Sequence, residues 1–178
     1  MRLQGRKTFI TGAAKGIGLS VAQAFAAEGA AVALADISGE ESREQSLDIS
    51  ERFGVNAIGV ECDVADSKSV ENAMATAAKT FDGVDTIACM AATLTQRLDV
   101  VDLPEEDWDN TLRVNLTGSF LVCKHGIPLL RKAGGGSIIL TASQMGQVAW
   151  PGSTAYCTTK GGILQLVKGI ALDHKDEN

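Results

Sequence analysis

Tyr156 and Lys160 stand four residues apart in Tyr156-Cys-Thr-Thr-Lys160. On a helix that spacing places both side chains on one face. A free tyrosine is a poor base at neutral pH, but an ammonium beside it stabilises the phenolate. The pair can therefore relay a proton to or from an alcohol or carbonyl oxygen. Tyr156 is the only tyrosine of the chain, which weighs against an exposed pair with no chemistry. Ser143, in Thr141-Ala-Ser-Gln144, can hydrogen-bond a reacting oxygen as charge develops on it, or it can simply cap a turn. Asn115 lies in a helical pattern that does not favour asparagine, so it is expected to hold a water or a backbone group near the site. Asn115-Leu-Thr117 is also an Asn-x-Thr sequon; MRLQGRKTFITG carries no long apolar run of a secretion signal, so glycosylation is discounted.

A second group of residues suits a phosphate. Thr11-Gly-Ala-Ala-Lys-Gly-Ile-Gly18 places Gly12, Lys15, Gly16, Ile17 and Gly18 in a turn between an expected strand and an expected helix. Glycines there let the backbone approach a pyrophosphate, and the helix start offers free N–H groups at a positive dipole end. The spacing is neither G-x-G-x-x-G nor a P-loop. Asp36 follows Gly18 by 18 residues. A carboxylate at that point accepts hydrogen bonds from a ribose diol and repels a 2′-phosphate, which favours NAD over NADP. Lys15 pulls mildly the other way, and a solvated loop aspartate is the plainer reading. Asp63 and Val64, in Glu61-Cys-Asp-Val64, are placed to meet an adenine edge or merely to lead into a helix.

These residues need elements to hold them. Strands are expected at 6–11, 31–35, 55–60, 85–89 and 137–141. Helices are expected at 16–27, from 38 to just before Gly54, at 66–80, 104–132 and 153–174. Ile17, Val21 and Phe25 form an apolar face on the first helix. Ser38 with Glu41 reads as a capping box, Asp66 as an N-cap, and Asp102 with Glu105 as another capping pair, with Pro104 in the first turn. Trp108, Leu112, Leu116 and Phe120 step by four along the long helix, and Gly126 with Pro128 predicts a kink. Strands alternating with helices imply an α/β fold, a doubly wound parallel sheet of Rossmann-like type in one domain.

The 178 residues carry a net charge of −6, 45% hydrophobic residues and 21% charged ones. That composition excludes a disordered chain and argues against nucleic-acid binding by bulk charge. No run of eighteen apolar residues suggests a membrane span. Cys62, Cys89, Cys123 and Cys157 lie far apart with no zinc spacing, which points to a reduced, cytoplasmic setting. His125 and His174 read as surface or core residues, and no metal site is expected.

Together, Thr11-Gly-Ala-Ala-Lys-Gly-Ile-Gly18, Asp36, Asp63, Asn115, Ser143 and Tyr156-x-x-x-Lys160 resemble the short-chain dehydrogenase/reductase family, over residues 6–171. The resemblance implies an NAD-dependent oxidoreductase acting on a small secondary alcohol or ketone. By it, Tyr156 is the general acid/base, Lys160 binds the nicotinamide ribose and assists Tyr156, Ser143 orients the substrate oxygen, and Asn115 supports a water-linked proton path. It also implies a homo-oligomer packed through helices 104–132 and 153–174. Two departures stand out. The family's Asn-Asn-Ala-Gly is here Cys89-Met-Ala-Ala92, and a thioether cannot serve as an amide does, so sheet bracing and adenosine contacts are expected to suffer there. The family also continues past the tyrosine helix into further strands and a substrate-covering loop, so a fragment or truncated variant is expected, incomplete at its C-terminus and lacking its last strands, with strand 137–141 an uncovered edge. A non-catalytic nucleotide-binding or dimerising module is the alternative. A methyltransferase use of the glycine turn would leave Tyr156, Lys160 and Ser143 idle.

Overall fold

The computed structural model describes residues 1–177. Strands β1 (Lys7–Thr11), β2 (Ala31–Asp36), β3 (Ala57–Glu61), β4 (Thr86–Cys89) and β5 (Ser137–Leu140) alternate with helices α1 (Gly16–Ala27), α2 (Gly39–Phe53), α3 (Ser67–Phe81), α5 (Gly118–Lys132) and α6 (Thr154–Asp173), with a short α4 (Glu105–Thr111) joined to α5 by a π-helical segment, Leu112–Thr117. All pairings are parallel, in the order β3-β2-β1-β4-β5. The doubly wound sheet predicted from the alternation is therefore the fold.

Side chains alternate across a strand, so each strand feeds two cores. Phe9, Ala33 and Ile87 face α3 and α5, where Val70, Met74, Ala77, Leu121 and Val122 cover them. Ile10, Val32, Leu34 and Ala88 face α1 and α2, covered by Ala22, Ala26 and Ile49. Burying each large apolar side chain contributes about 1.5–3 kcal/mol. The two layers meet at the β1/β4 boundary, where the chain's winding reverses. Such a switch point opens a crevice at the carboxyl ends of the strands.

Several local expectations change. The fully buried face of α1 is Gly18, Ala22 and Ala26; of the expected face, Val21 and Phe25 pack partly buried against the core, while Ile17 is 74% exposed. Small residues let the helix lie close on the sheet, which a branched face would not. Ser38 stands at the N-cap position of α2 without a side-chain cap bond, and its N–H donates to Asp36 Oδ1 at 3.1 Å, the bond that a capping box would give to Glu41. Asp102 caps nothing: Asp99 Oδ1 accepts from the N–H groups of Val101 and Asp102, and Pro104 itself occupies the N-cap position of α4. Asp66 does cap α3, accepting from Ser69 N–H at 2.6 Å.

The long helix differs most. It runs unbroken past Gly126 and Pro128, and its irregularity lies upstream in the π segment. A π turn widens the helix and shifts every later side chain around it. Thr111, Asn115, Gly118, Ser119 and Val122 are thus buried while Phe120 is exposed, in place of the four-step stripe through Trp108, Leu112, Leu116 and Phe120. β5 is an edge strand with Ile139 half-exposed. Among the described residues, no helix is long and apolar enough to cross a membrane.

Candidate functional site

The carboxyl ends of β1, β2, β3 and β4 surround a cleft of about 610 Å³, within the size range of sites that enclose an organic ligand. Its lining brings together Gly12, Lys15, Ile17, Gly18, Asp36, Asp63, Val64 and Tyr156. Gly16, Asn115, Ser143 and Lys160 stand outside that lining.

The floor is built by the glycine turn. Gly12 has φ +64°, and a Cβ there would lie 2.7 Å from Ala91 Cα. Only glycine combines that backbone with so close an approach to β4. A Cβ on Gly18 would overlap the Gly12 carbonyl oxygen and lie 2.8 Å from the Gly12 carbonyl carbon. The start of α1 has no side-chain cap, so first-turn amides remain available to an anion.

Thr11, which the motif includes but to which the sequence assigns no role, ties the floor to the wall. Its Oγ1 accepts from Met90 N–H at 3.1 Å and from Ala91 N–H at 3.2 Å. A β-branched hydroxyl at the end of a strand, just before the turn, was the available signal. The bracing expected to fail at Cys89-Met-Ala-Ala92 is therefore supplied through backbone amides, which do not depend on residue type. Met90 also accepts after all: its Sδ takes the Thr141 hydroxyl at 3.0 Å. Cys89 turns the other way, buried against Cys123 on α5, where their hydrogen bond and burial keep the Cys89 thiol protonated.

Asp36 ends β2 and holds the turn: Oδ2 accepts from Ala14 N–H at 3.1 Å, and Oδ1 from Ser38 N–H. Asp63 Oδ1 accepts from Ala65 N–H at 2.9 Å, and Oδ2 lies 3.8 Å from the Arg113 guanidinium. Between them sits Cys62, whose thiol is pushed up to about 12 by burial and then by the charges of Asp63, Asp36 and Asp66. It is a neutral thiol at physiological pH and no nucleophile, and its shift registers a rim of negative charge.

Asn115 is 1% exposed. Its Oδ1 accepts from Thr93 N–H at 2.7 Å, and its Nδ2 donates to Thr93 O at 3.0 Å and Thr159 Oγ1 at 3.4 Å. The backbone group it holds is thus that of Thr93, in the cleft wall. The π segment turns this asparagine inward, and its burial leaves no room for a glycan. Leaving either Thr93 group unpaired would cost about 1–3 kcal/mol.

Tyr156 and Lys160 share a face of α6 as expected. Lys160 is 3% exposed; its Nζ donates to Thr141 O at 2.6 Å and lies 5.6 Å from the centre of the Tyr156 ring. Burial pushes the ammonium below its ordinary 10.5, so its charged form is costly to keep and is retained by few partners. Ser143, past the end of β5, accepts from Met145 N–H at 3.2 Å. Sequence reading also missed Ile37, Asn110 and Arg113 of the cleft lining; the last two come from the helix after Pro104, whose register the π segment changes.

The chain is similar to known proteins over most of its length. A family model described as enoyl-(acyl carrier protein) reductase matches residues 12–178. The chain is 36% identical over 172 residues to D-threitol dehydrogenase of Mycolicibacterium smegmatis, covering 97% of this chain and 65% of that protein. It is 30% identical over 178 residues to a 3-oxoacyl-[acyl-carrier-protein] reductase of Aquifex aeolicus, covering all of this chain and 71% of that one. A crystal structure of NAD+-bound xylitol dehydrogenase superposes with a TM-score of 0.96 at 31% identity, over 100% of this chain and 68% of that one.

Proposed function

This chain belongs to the short-chain dehydrogenase/reductase family, and we propose that it binds NAD and interconverts a small secondary alcohol and a ketone by hydride transfer, with Tyr156 as the general acid/base. The convergence of Gly12, Gly18, Asp36, Asp63 and Tyr156 on one cleft at the sheet's switch point carries the reading. The related proteins named above, with their alcohol and ketone reactions, and the NAD+ of the xylitol dehydrogenase structure support it.

The residues present fit a dinucleotide. The turn at Gly12 and Gly18 is so tight that a Cβ at either position would strike protein backbone, so the main chain itself can form the wall that meets a pyrophosphate. The uncapped start of α1 and Lys15 suit the pyrophosphate, Asp36 the ribose diol, and Asp63 with Val64 the adenine. When bound, the nicotinamide ring supplies the hydride acceptor for an alcohol or the donor for a ketone. In the oxidative direction Tyr156 takes the alcohol's hydroxyl proton as the carbinol hydrogen leaves with its electron pair. The Lys160 ammonium over the ring offsets the phenolate charge and holds the nicotinamide ribose. Ser143 orients the reacting oxygen, and Asn115 keeps Thr93 and the adjoining wall in place beside a water-linked proton path.

The preference for NAD over NADP rests on Asp36 in its acidic rim. Asp36→Ala is expected to narrow the ratio of NADPH to NADH dissociation constants by about tenfold, since a like charge against a 2′-phosphate costs on the order of 1–2 kcal/mol. An unchanged ratio, read by fluorescence titration, refutes the role. The same variant loses the acceptors of Ala14 and Ser38 N–H, so it should also melt earlier.

We place the protein in the cytoplasm, a setting supported by four free cysteines, and propose that it assembles as a homo-oligomer through the faces of helices 104–132 and 153–174. The exposed Phe120, Val167 and Leu172 support that assembly. Sedimentation should show more than a monomer; a single monomeric species would refute it. The function itself is tested by titrating NADH and then assaying NAD reduction with a panel of secondary alcohols and polyols. Binding and turnover together are expected. Binding with no turnover would overturn the enzymatic reading.

A further inference from the structure

The end of the cleft at Asp63 holds a group that the dinucleotide reading has not used. Arg113 projects from the π segment into the lining beside Asn110, Val114, Asp63 and Val64. Its Nη2 donates to Asn110 Oδ1 at 3.2 Å, and its Nη1 lies 3.8 Å from Asp63 Oδ2. Asp63 is itself fixed, its Oδ1 accepting from Ala65 N–H and its own N–H donating to Ser69 Oγ at 3.0 Å. The guanidinium is thus held at its edge by one hydrogen bond, to Asn110, and lies in ion-pair range of Asp63 on another element. Its side chain is still 54% exposed.

A planar guanidinium anchored at its edge presents its faces. Flat π systems stack on such faces, and the contact costs little ordering when the plane is already placed. The π segment is what brings Arg113 to this position, because the added width rotates Asn115 inward and Arg113 outward to the cleft. A structural ion pair alone would be of little consequence at this exposure.

We propose that Arg113 is the adenine-recognising lid of the cleft: its guanidinium, anchored on Asn110 and Asp63, stacks on the adenine ring of the bound nucleotide and sets affinity for that half of the cofactor. This rests on the dinucleotide reading above and adds a residue to it. No proton or electron moves in the step; a stacking contact forms and water leaves both faces.

The test is calorimetric titration of the purified chain with three probes: NADH, AMP and nicotinamide mononucleotide. Arg113→Ala should weaken NADH and AMP by about tenfold each, in keeping with a partly exposed cation–ring contact. Nicotinamide mononucleotide, which has no adenine, should bind the variant as it binds the parent. Arg113→Lys keeps the charge without the plane and should lose nearly as much as the alanine variant. Unchanged AMP affinity in Arg113→Ala overturns the inference. Full retention in Arg113→Lys overturns the stacking geometry, since charge alone would then suffice. Equal weakening of all three probes overturns it as well, because the effect would then be a general disturbance of the cleft. If the parent binds none of the three, the dinucleotide reading fails and this inference falls with it. Parent binding with an unaltered variant refutes the inference alone.

Discussion

Tyr156→Phe is expected to lower kcat by about a thousandfold, within the range that a positioned acid/base contributes, while leaving the NADH dissociation constant where it was. The ring of Tyr156 forms part of the cleft wall, and the Lys160 ammonium lies over that ring. Phenylalanine keeps the ring and both contacts. Only the oxygen that would take the alcohol's proton is lost, and no other tyrosine exists in the chain to replace it. The split between turnover and binding is the informative part. Full activity in the variant would remove Tyr156 from the mechanism. Parallel loss of binding would mean that the hydroxyl holds the cofactor instead of moving a proton. Replacing Lys160 cannot make the same distinction, because the lysine is buried and donates to Thr141 O, so its removal disturbs packing and chemistry together.

Gly18→Ala should damage stability and cofactor binding together. The added Cβ would meet only backbone: the Gly12 carbonyl group and, at 3.1 Å, Ala13 Cα. Backbone cannot rotate out of the way as a flexible side chain can. Nor can the turn retreat, because Gly12 is itself packed against Ala91 at the end of β4. Overpacking of this kind costs about 3 kcal/mol, the upper part of the usual range. For a domain of this size that lowers the melting temperature by about 6–12 °C. The displaced turn also carries the amides and the helix start proposed for the pyrophosphate, so NADH affinity should fall by about a hundredfold, equivalent to losing one or two charge-assisted hydrogen bonds. A variant that melts with the parent and binds NADH as the parent does would show that the turn is loose and that the cradle is not a cradle.

The fold was legible because its signals are periodic and repeated. Strands buried on both faces read as short apolar runs, and helices between them leave a parallel, doubly wound sheet as the simple arrangement. The glycine turn and Asp36 were legible for a different reason: they lie at the carboxyl ends of strands, where such a sheet opens a crevice at its switch point. Less could be read where side chains compete for one backbone group. Ser38 and Glu41 looked like a capping box, but Asp36 takes the Ser38 N–H that Glu41 would accept. Asp102 looked like a cap, but Asp99 turns the loop before the helix begins. Local motifs list the partners that could bond, and the tertiary approach decides which of them do.

The π segment marks the boundary most clearly. From residue types alone, 104–132 is one helix with a four-step apolar stripe and a break at proline. In the folded chain one widened turn shifts the whole register, buries Asn115, exposes Phe120 and carries Arg113 to the cleft. A π turn costs helical geometry and is retained only where packing repays it; here Asn115 gains both polar groups of Thr93.

By itself, then, the order of residues determined the sheet, its winding, the glycine turn and the candidate proton relay of Tyr156 and Lys160, because each depends on spacing along one element. Only the tertiary structure decided that Thr11 and Met90 brace the altered Cys89-Met-Ala-Ala92 segment, that Asn115 holds Thr93, and that Arg113 meets Asp63. Those contacts join elements 22 to 80 residues apart, or a half-buried aspartate to a helix whose phase no local pattern encodes, and they exist only once the two halves of the sheet have met.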